Sequence, residues 1–150
     1  MGSAPDHVTQ PERLTLSIPS HPRYLRVVRD FLTSLLAELG FSHQDRMGMV
    51  LAVNEAYANV IEHCYQGDVT QRVDLAVVIE PAVITIEMRD YGVQPDPACI
   101  EPRDLQDVRP RGLGTHFMRS IMDDITYDLS SGTGTVLRMS KRRSLPCTSP

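Results

Sequence analysis

No stretch of this chain approaches the roughly 18 consecutive apolar residues that a membrane-spanning helix needs. The opening MGSAPDHVTQPE has neither the basic start nor the apolar run of a secretion signal. Cysteine is scarce, and Cys64, Cys99 and Cys147 are odd in number and unevenly spaced. That argues against a disulfide framework and for a reducing, cytoplasmic setting. Basic residues are in deficit, 15 Lys and Arg against 19 Asp and Glu, so the formal charge is −4. A protein that recognises phosphate backbones normally shows the opposite balance, so neither nucleic acid nor membrane is expected as a partner. Internal repeats and low-complexity tracts are missing too. What is present is one domain's worth of chain, 150 residues with 41% hydrophobic and 23% charged, enough for one core.

The apolar pattern divides the chain into elements. Residues 1–11 are polar, with two prolines, and read as a flexible arm. Leu14, Leu16 and Ile18 alternate as in a strand, which Pro19 ends. Leu25, Val28, Leu32, Leu35 and Leu39 recur at helical spacing, and Gly40 closes that helix. Ser42 with Asp45 resembles a capping box and predicts a second helix to about Tyr65. Val73 to Ile79 and Ile84 to Met88 alternate about a Pro81-Ala82 turn, as adjacent antiparallel strands do. Residues 91–111 carry four prolines and few large apolar groups and read as a long mobile loop. A short helix follows Gly112-Leu113-Gly114, with Phe117, Met118, Ile121 and Met122 as its apolar face. Ile125 to Leu129 and Val136 to about Lys141 are the last two strands, joined by a turn at Ser131-Gly132. The order predicts a domain over residues 12–142, with 143–150 a flexible tail. Its class is a two-layer α/β (α+β) sandwich: a mainly antiparallel mixed sheet with helices on one face.

Three places could carry chemistry. On the second helix, Glu55, Asn59 and His63 at i, i+4, i+8 share the side opposite Val50, Val53, Tyr57, Val60, Ile61 and Cys64. Ala52 and Ala56 are expected to leave open space beside these polar groups. Such a face is either solvated or the wall of a ligand groove. Asp90 ends an apolar strand ahead of Tyr91-Gly92, either as a turn or as an acceptor for a ligand amine. Arg111-Gly112-Leu113-Gly114 opens a helix, where backbone N–H groups and the helix dipole favour an anion. No Gly-Lys-Ser/Thr completes a P-loop, Phe117 stands where a dinucleotide fingerprint needs its third glycine, and His63, Cys64 and His116 lack zinc-site spacing.

In this order the segments resemble the GHKL (Bergerat-fold) ATPases, and within them the anti-sigma-factor serine/threonine kinases of the RsbW type in bacterial partner-switching systems. Asn54-Glu55-Ala56…Asn59…His63 is similar to the first motif of that family, and Asp90-Tyr91-Gly92-Val93…Asp96-Pro97 to the second. Gly112-Leu113-Gly114-Thr115-His116-Phe117 with Ile121-Met122-Asp123-Asp124 resembles the third, and Gly134-Thr135-Val136-Leu137 the fourth. The likeness covers roughly residues 12–142.

The resemblance implies roles. Glu55 would be the general base on the substrate hydroxyl, and Asn59 would coordinate the Mg²⁺ that carries the ATP phosphates. Asp90 would accept from the adenine amino group, and Gly92 would open room for the purine. Gly112 and Gly114 would present N–H groups to phosphates, and Thr135 would support the adenine side. His63, Arg111 and Thr115 fall in the same motifs and are expected at the nucleotide. Where relatives commonly have a glycine two residues after Gly92, this chain has Gln94, which bears on the hinge of the lid. The implied function is ATP- and Mg²⁺-dependent phosphorylation of a STAS-type antagonist, coupled to holding a sigma factor inactive; relatives commonly pair as homodimers. The rival is a non-catalytic nucleotide-binding switch that docks to a phosphatase or another regulator. A histidine-kinase catalytic domain fits less well, since no helical hairpin with a phosphoacceptor His precedes the ATP fold.

Overall fold

The computed structural model describes residues 10–96 and 113–143. The expected arm up to residue 9, the loop from 97 and the tail from 144 fall outside these residues. The elements are β1 (Glu12–Pro19), a 3-10 turn (Pro22–Tyr24), α1 (Leu25–Glu38), α2 (His43–Asn59) and a π-helical turn (Val60–Cys64). They continue as β2 (Arg72–Ile79), β3 (Val83–Arg89), α3 (Leu113–Ile121), β4 (Asp124–Asp128) and β5 (Val136–Arg142). The five strands form one sheet in the order β1-β2-β3-β5-β4. Every ladder is antiparallel, so the parallel pair that a mixed sheet would require does not occur among the described residues. No helix among these residues is long and apolar enough to cross a membrane.

Alternation along the strands decides which face is covered. Val73, Leu75, Val77 and Ile79 of β2, Ile84, Ile86 and Met88 of β3, and Leu137 and Met139 of β5 are buried together with helix residues in one core. The intervening positions carry a charged network instead. Arg13 bonds Glu87 at 2.6 Å, Glu87 meets Arg138 at 3.1 Å, and Arg138 reaches Asp128 at 3.3 Å. A sheet with one wet and one dry face is what period-two patterning specifies.

The helices are set by local signals that the tertiary structure then modifies. Ser42 caps α2 by accepting from the Asp45 N–H at 3.1 Å, a contact of about 1 kcal/mol. Gly40 lies at φ +80 and ends α1 as expected. On α1 the buried stripe is Val28, Leu32 and Leu36; Leu35 is only partly covered. Two further corrections concern burial. Ala52 and Ala56 flank no open space, because both are fully inside the core. Phe117 does not complete the apolar face of α3 and is 37% exposed, whereas Met118 and Met122 are buried. The Tyr57 hydroxyl donates to Pro19 O at 2.6 Å, tying α2 to the end of β1.

Candidate functional site

The C-terminal end of β3 and the end of α2 meet at one corner of the sandwich. Asp90 follows β3 directly and is 2% exposed. Its N–H donates to Thr135 O at 3.0 Å, continuing the β3–β5 ladder by one rung. Its carboxylate accepts from the Gly92 N–H at 3.0 Å. Burial pushes the Asp90 carboxyl above the usual carboxylate range, against the pull of that N–H and of Arg89. The Thr135 hydroxyl beside it is buried without a hydrogen-bond partner. A buried carboxylate next to an unpaired hydroxyl is a polar edge prepared for a ligand, since leaving such groups unsatisfied costs free energy.

Gly92 and Gly134 make this corner possible. A Cβ on Gly92 would lie 2.2 Å from Cys64 O, and one on Gly134 would lie 2.0 Å from Asp90 O. The gaps are used for backbone pairing: Val93 N–H donates to Cys64 O at 2.9 Å, and Gly134 N–H to Gly92 O at 3.0 Å. Tyr91 is fixed from both sides. Its N–H donates to the Tyr65 hydroxyl at 2.9 Å, and its ring lies between the guanidinium groups of Arg72 and Arg89, 4.9 and 5.0 Å from the centroid.

Residues 91–96 carry no helix or strand, as expected of the loop, but hydrogen bonds hold them in place. Gln94 spans to the β4–β5 turn, its Nε2 donating at 2.8 Å to both Leu129 O and Gly134 O. It does not act as a free hinge; its amide fastens the segment after Asp90 to the rim of the site. Gln94→Ala removes two hydrogen bonds, about 1–2 kcal/mol of local stability in all. Hydrogen exchange at the Val93 and Gly134 amides should accelerate correspondingly, and unchanged protection would show that the side chain does not hold this rim.

On α2, Glu55 and Asn59 are half-buried, and neither has a hydrogen-bond or ion-pair partner among the described residues. The Glu55 carboxylate lies at the start of α3: a Cβ on Gly114 would come within 2.8 Å of its Oε2. Gly114 thus has a contact reason for lacking a side chain, in addition to the one expected from its motif. Thr115 lies on α3 one position further on, while Arg111 and Gly112 fall outside the described residues. His63 departs from the expected line. The helix passes into a π turn at Val60, with Tyr65 N–H donating to Val60 O at 2.9 Å, and the extra residue takes His63 off the i, i+4, i+8 face. Its side chain is 45% exposed and meets Glu62 at 3.9 Å. Cys64, at the end of the turn, is partly buried and packs against the core, as its place in the apolar stripe predicts.

The structure thus brings together Asp90, Gly92 and Thr135, and it sets Glu55 against Gly114. Asn59 stands one turn along α2 from Glu55. The model for the histidine kinase-like ATPase domain matches residues 18–141. Serine-protein kinase RsbW of Listeria monocytogenes is 25% identical over 137 residues, covering 86% of this chain and 87% of its own. The enzyme of the same name from Halalkalibacterium halodurans is 25% identical over 140 residues, covering 89% and 85%. In fold, the chain is similar to the crystal structure of the RsbU and RsbW domains of Rv1364c from Mycobacterium tuberculosis. The TM-score is 0.66 at 22% identity over 90% of this chain, which spans 33% of that longer one.

Proposed function

The chain belongs to the histidine kinase-like ATPase domain family, and from that membership we propose that it is an ATP-dependent protein-serine/threonine kinase of the partner-switching type. It acts as an anti-sigma factor and phosphorylates a STAS-domain antagonist on Ser or Thr. The relatives named serine-protein kinase RsbW, matched over most of their length, support the activity. The observations that carry the reading are the Glu55 carboxylate at the start of α3, unpaired among the described residues, and the buried Asp90 and Thr135 at the end of β3.

Bound ATP with Mg²⁺ supplies the transferable phosphoryl group and neutralises the charge that develops on it. The chain's residues do the rest. The Asp90 carboxylate holds the purine amino group, and Gly92 leaves room for the ring. The unpaired Thr135 hydroxyl supports the same edge. Gly114 and the start of α3 offer backbone donors to the phosphates, the family resemblance assigns Arg111, Gly112 and Thr115 to the same task, and Asn59 would offer an oxygen ligand to the metal. Glu55 accepts the proton of the substrate hydroxyl as it attacks.

Asn59→Ala should leave ATP binding largely intact without metal and lessen its enhancement by Mg²⁺. A magnesium titration identical to the wild type would take Asn59 out of the site. The kinase reading itself is tested by incubating the protein with γ-labelled ATP and STAS proteins from the same source. Label on a Ser or Thr of one of them is the expected result. ATP and partner bound with no label transferred would favour a non-catalytic switch.

A further inference from the structure

We propose that Met47 and Leu51 of α2, with Phe117 of α3, form the docking surface for the protein whose Ser or Thr hydroxyl reaches Glu55. The inference rests on the kinase reading above and says where its protein substrate is held. Three of the six exposed large apolar side chains among the described residues gather there. Met47, Leu51 and Glu55 are spaced i, i+4, i+8 on α2, so the helix sets them on one face. Met47 is 53% exposed and Leu51 45%. Two close approaches fix α3 beside them. A Cβ on Gly114 would lie 2.8 Å from Glu55 Oε2, and one on Gly48 would lie 3.1 Å from Ile121 Cγ2. The two helices therefore run antiparallel, with Phe117 level with Leu51 and Ala52. Ala52 and Met118 fill the inner side of this seam, fully buried, while Leu51 and Phe117 stay exposed on its outer side.

Distance decides what covers the seam. With a rise of about 1.5 Å per residue, Leu51 lies about 6 Å and Met47 about 12 Å along the helix axis from Glu55. A standard protein interface covers about 800 Å² on each partner, equivalent to a disc about 16 Å in radius. A folded protein that sets a hydroxyl on Glu55 thus covers Leu51 and reaches Met47. The side chains suit that use, since Met and Phe are enriched at interfaces and exposed apolar clusters mark them. A second copy of this chain seated on the same seam would close Glu55 to any protein substrate. Pairing of copies through this face and phosphate transfer therefore exclude one another, which leaves the seam to the substrate.

The test uses the full chain as wild type, Leu51→Met, Leu51→Gln and the double variant Met47→Gln/Leu51→Gln. The substrate is the STAS protein that accepts label in the assay above. Gln keeps good helix propensity and puts no charge beside Glu55. Loss of apolar contact should raise KM for the protein substrate about three- to tenfold in Leu51→Gln and more than tenfold in the double variant. At saturating substrate kcat should stay within about twofold of the wild type, because the lost contact is made equally in ground and transition states. Leu51→Met should keep the wild-type KM. ATP affinity and melting temperature should match the wild type throughout, as expected of exposed positions. A wild-type KM in the double variant would overturn the proposal, and so would a fall in kcat at unchanged KM. A melting temperature several degrees lower in the double variant would overturn it too, by showing the seam covered already. Sedimentation would then tell a second copy from the chain's own segments. A wild type that transfers label to no STAS protein would fell the kinase reading first, and this inference with it.

Discussion

Glu55→Gln is expected to lower phosphate transfer to the partner by about 10²–10⁴-fold while ATP affinity barely changes, the usual contribution of a positioned general base. The substitution keeps the shape that packs against Gly114, where a Cβ would come within 2.8 Å of the carboxylate, so the start of α3 should not shift. What it removes is the lone pair able to take the hydroxyl proton. The carboxylate lies against Gly114 and makes no hydrogen bond to Asp90 or Thr135, so adenine recognition should be untouched. Partner binding should survive as well, since one groove side chain adds little to a protein interface. Measuring transfer and complex formation in the same samples checks this: equal transfer by both forms would remove Glu55 from the chemistry even if the fold assignment stands.

The second large effect is structural. Gly134→Ala should cost roughly 3 kcal/mol or more and lower the melting temperature by several degrees. The residue sits at φ +63, a conformation that disfavours a side chain, and its Cβ would lie 2.0 Å from Asp90 O, which is backbone and cannot swing aside. Relief requires moving either Asp90 or the β4–β5 turn to which Gln94 is fastened. The nucleotide edge should therefore loosen together with the fold. A thermal melt of the variant within a degree of the wild type would show that the corner yields more easily than its contacts indicate.

How far the sequence could be read depends on whether a residue's role is local. The order of elements was legible because strand alternation, the Ser42–Asp45 cap and the glycine stops each act within a few residues. Asp90, Gly92 and Glu55 stood out because the order of the motifs resembles a known family; taken singly, the spacing left each open to a plain structural reading. Ala52 and Ala56 did not read correctly: α2 is covered by the sheet and by α1 and α3 at once, and a helix projection has no term for neighbours on two sides. His63 left its expected face through the π turn, whose single extra residue leaves no mark in the hydrophobic period. Gln94 read as a missing hinge glycine, because its two acceptors, Leu129 O and Gly134 O, lie 35 and 40 residues away in the chain.

The most direct test of the account is calorimetric titration of ATP into the wild type and Asp90→Asn. One oxygen of the buried carboxylate accepts from the Gly92 N–H, and the proposed function gives the other to the purine amino group. An amide must turn a donor toward one side or the other. The account predicts saturable ATP binding by the wild type and a loss of tenfold or more in the variant, about 1.4 kcal/mol at least, with the melting temperature little changed. Equal affinity in the two proteins would contradict it.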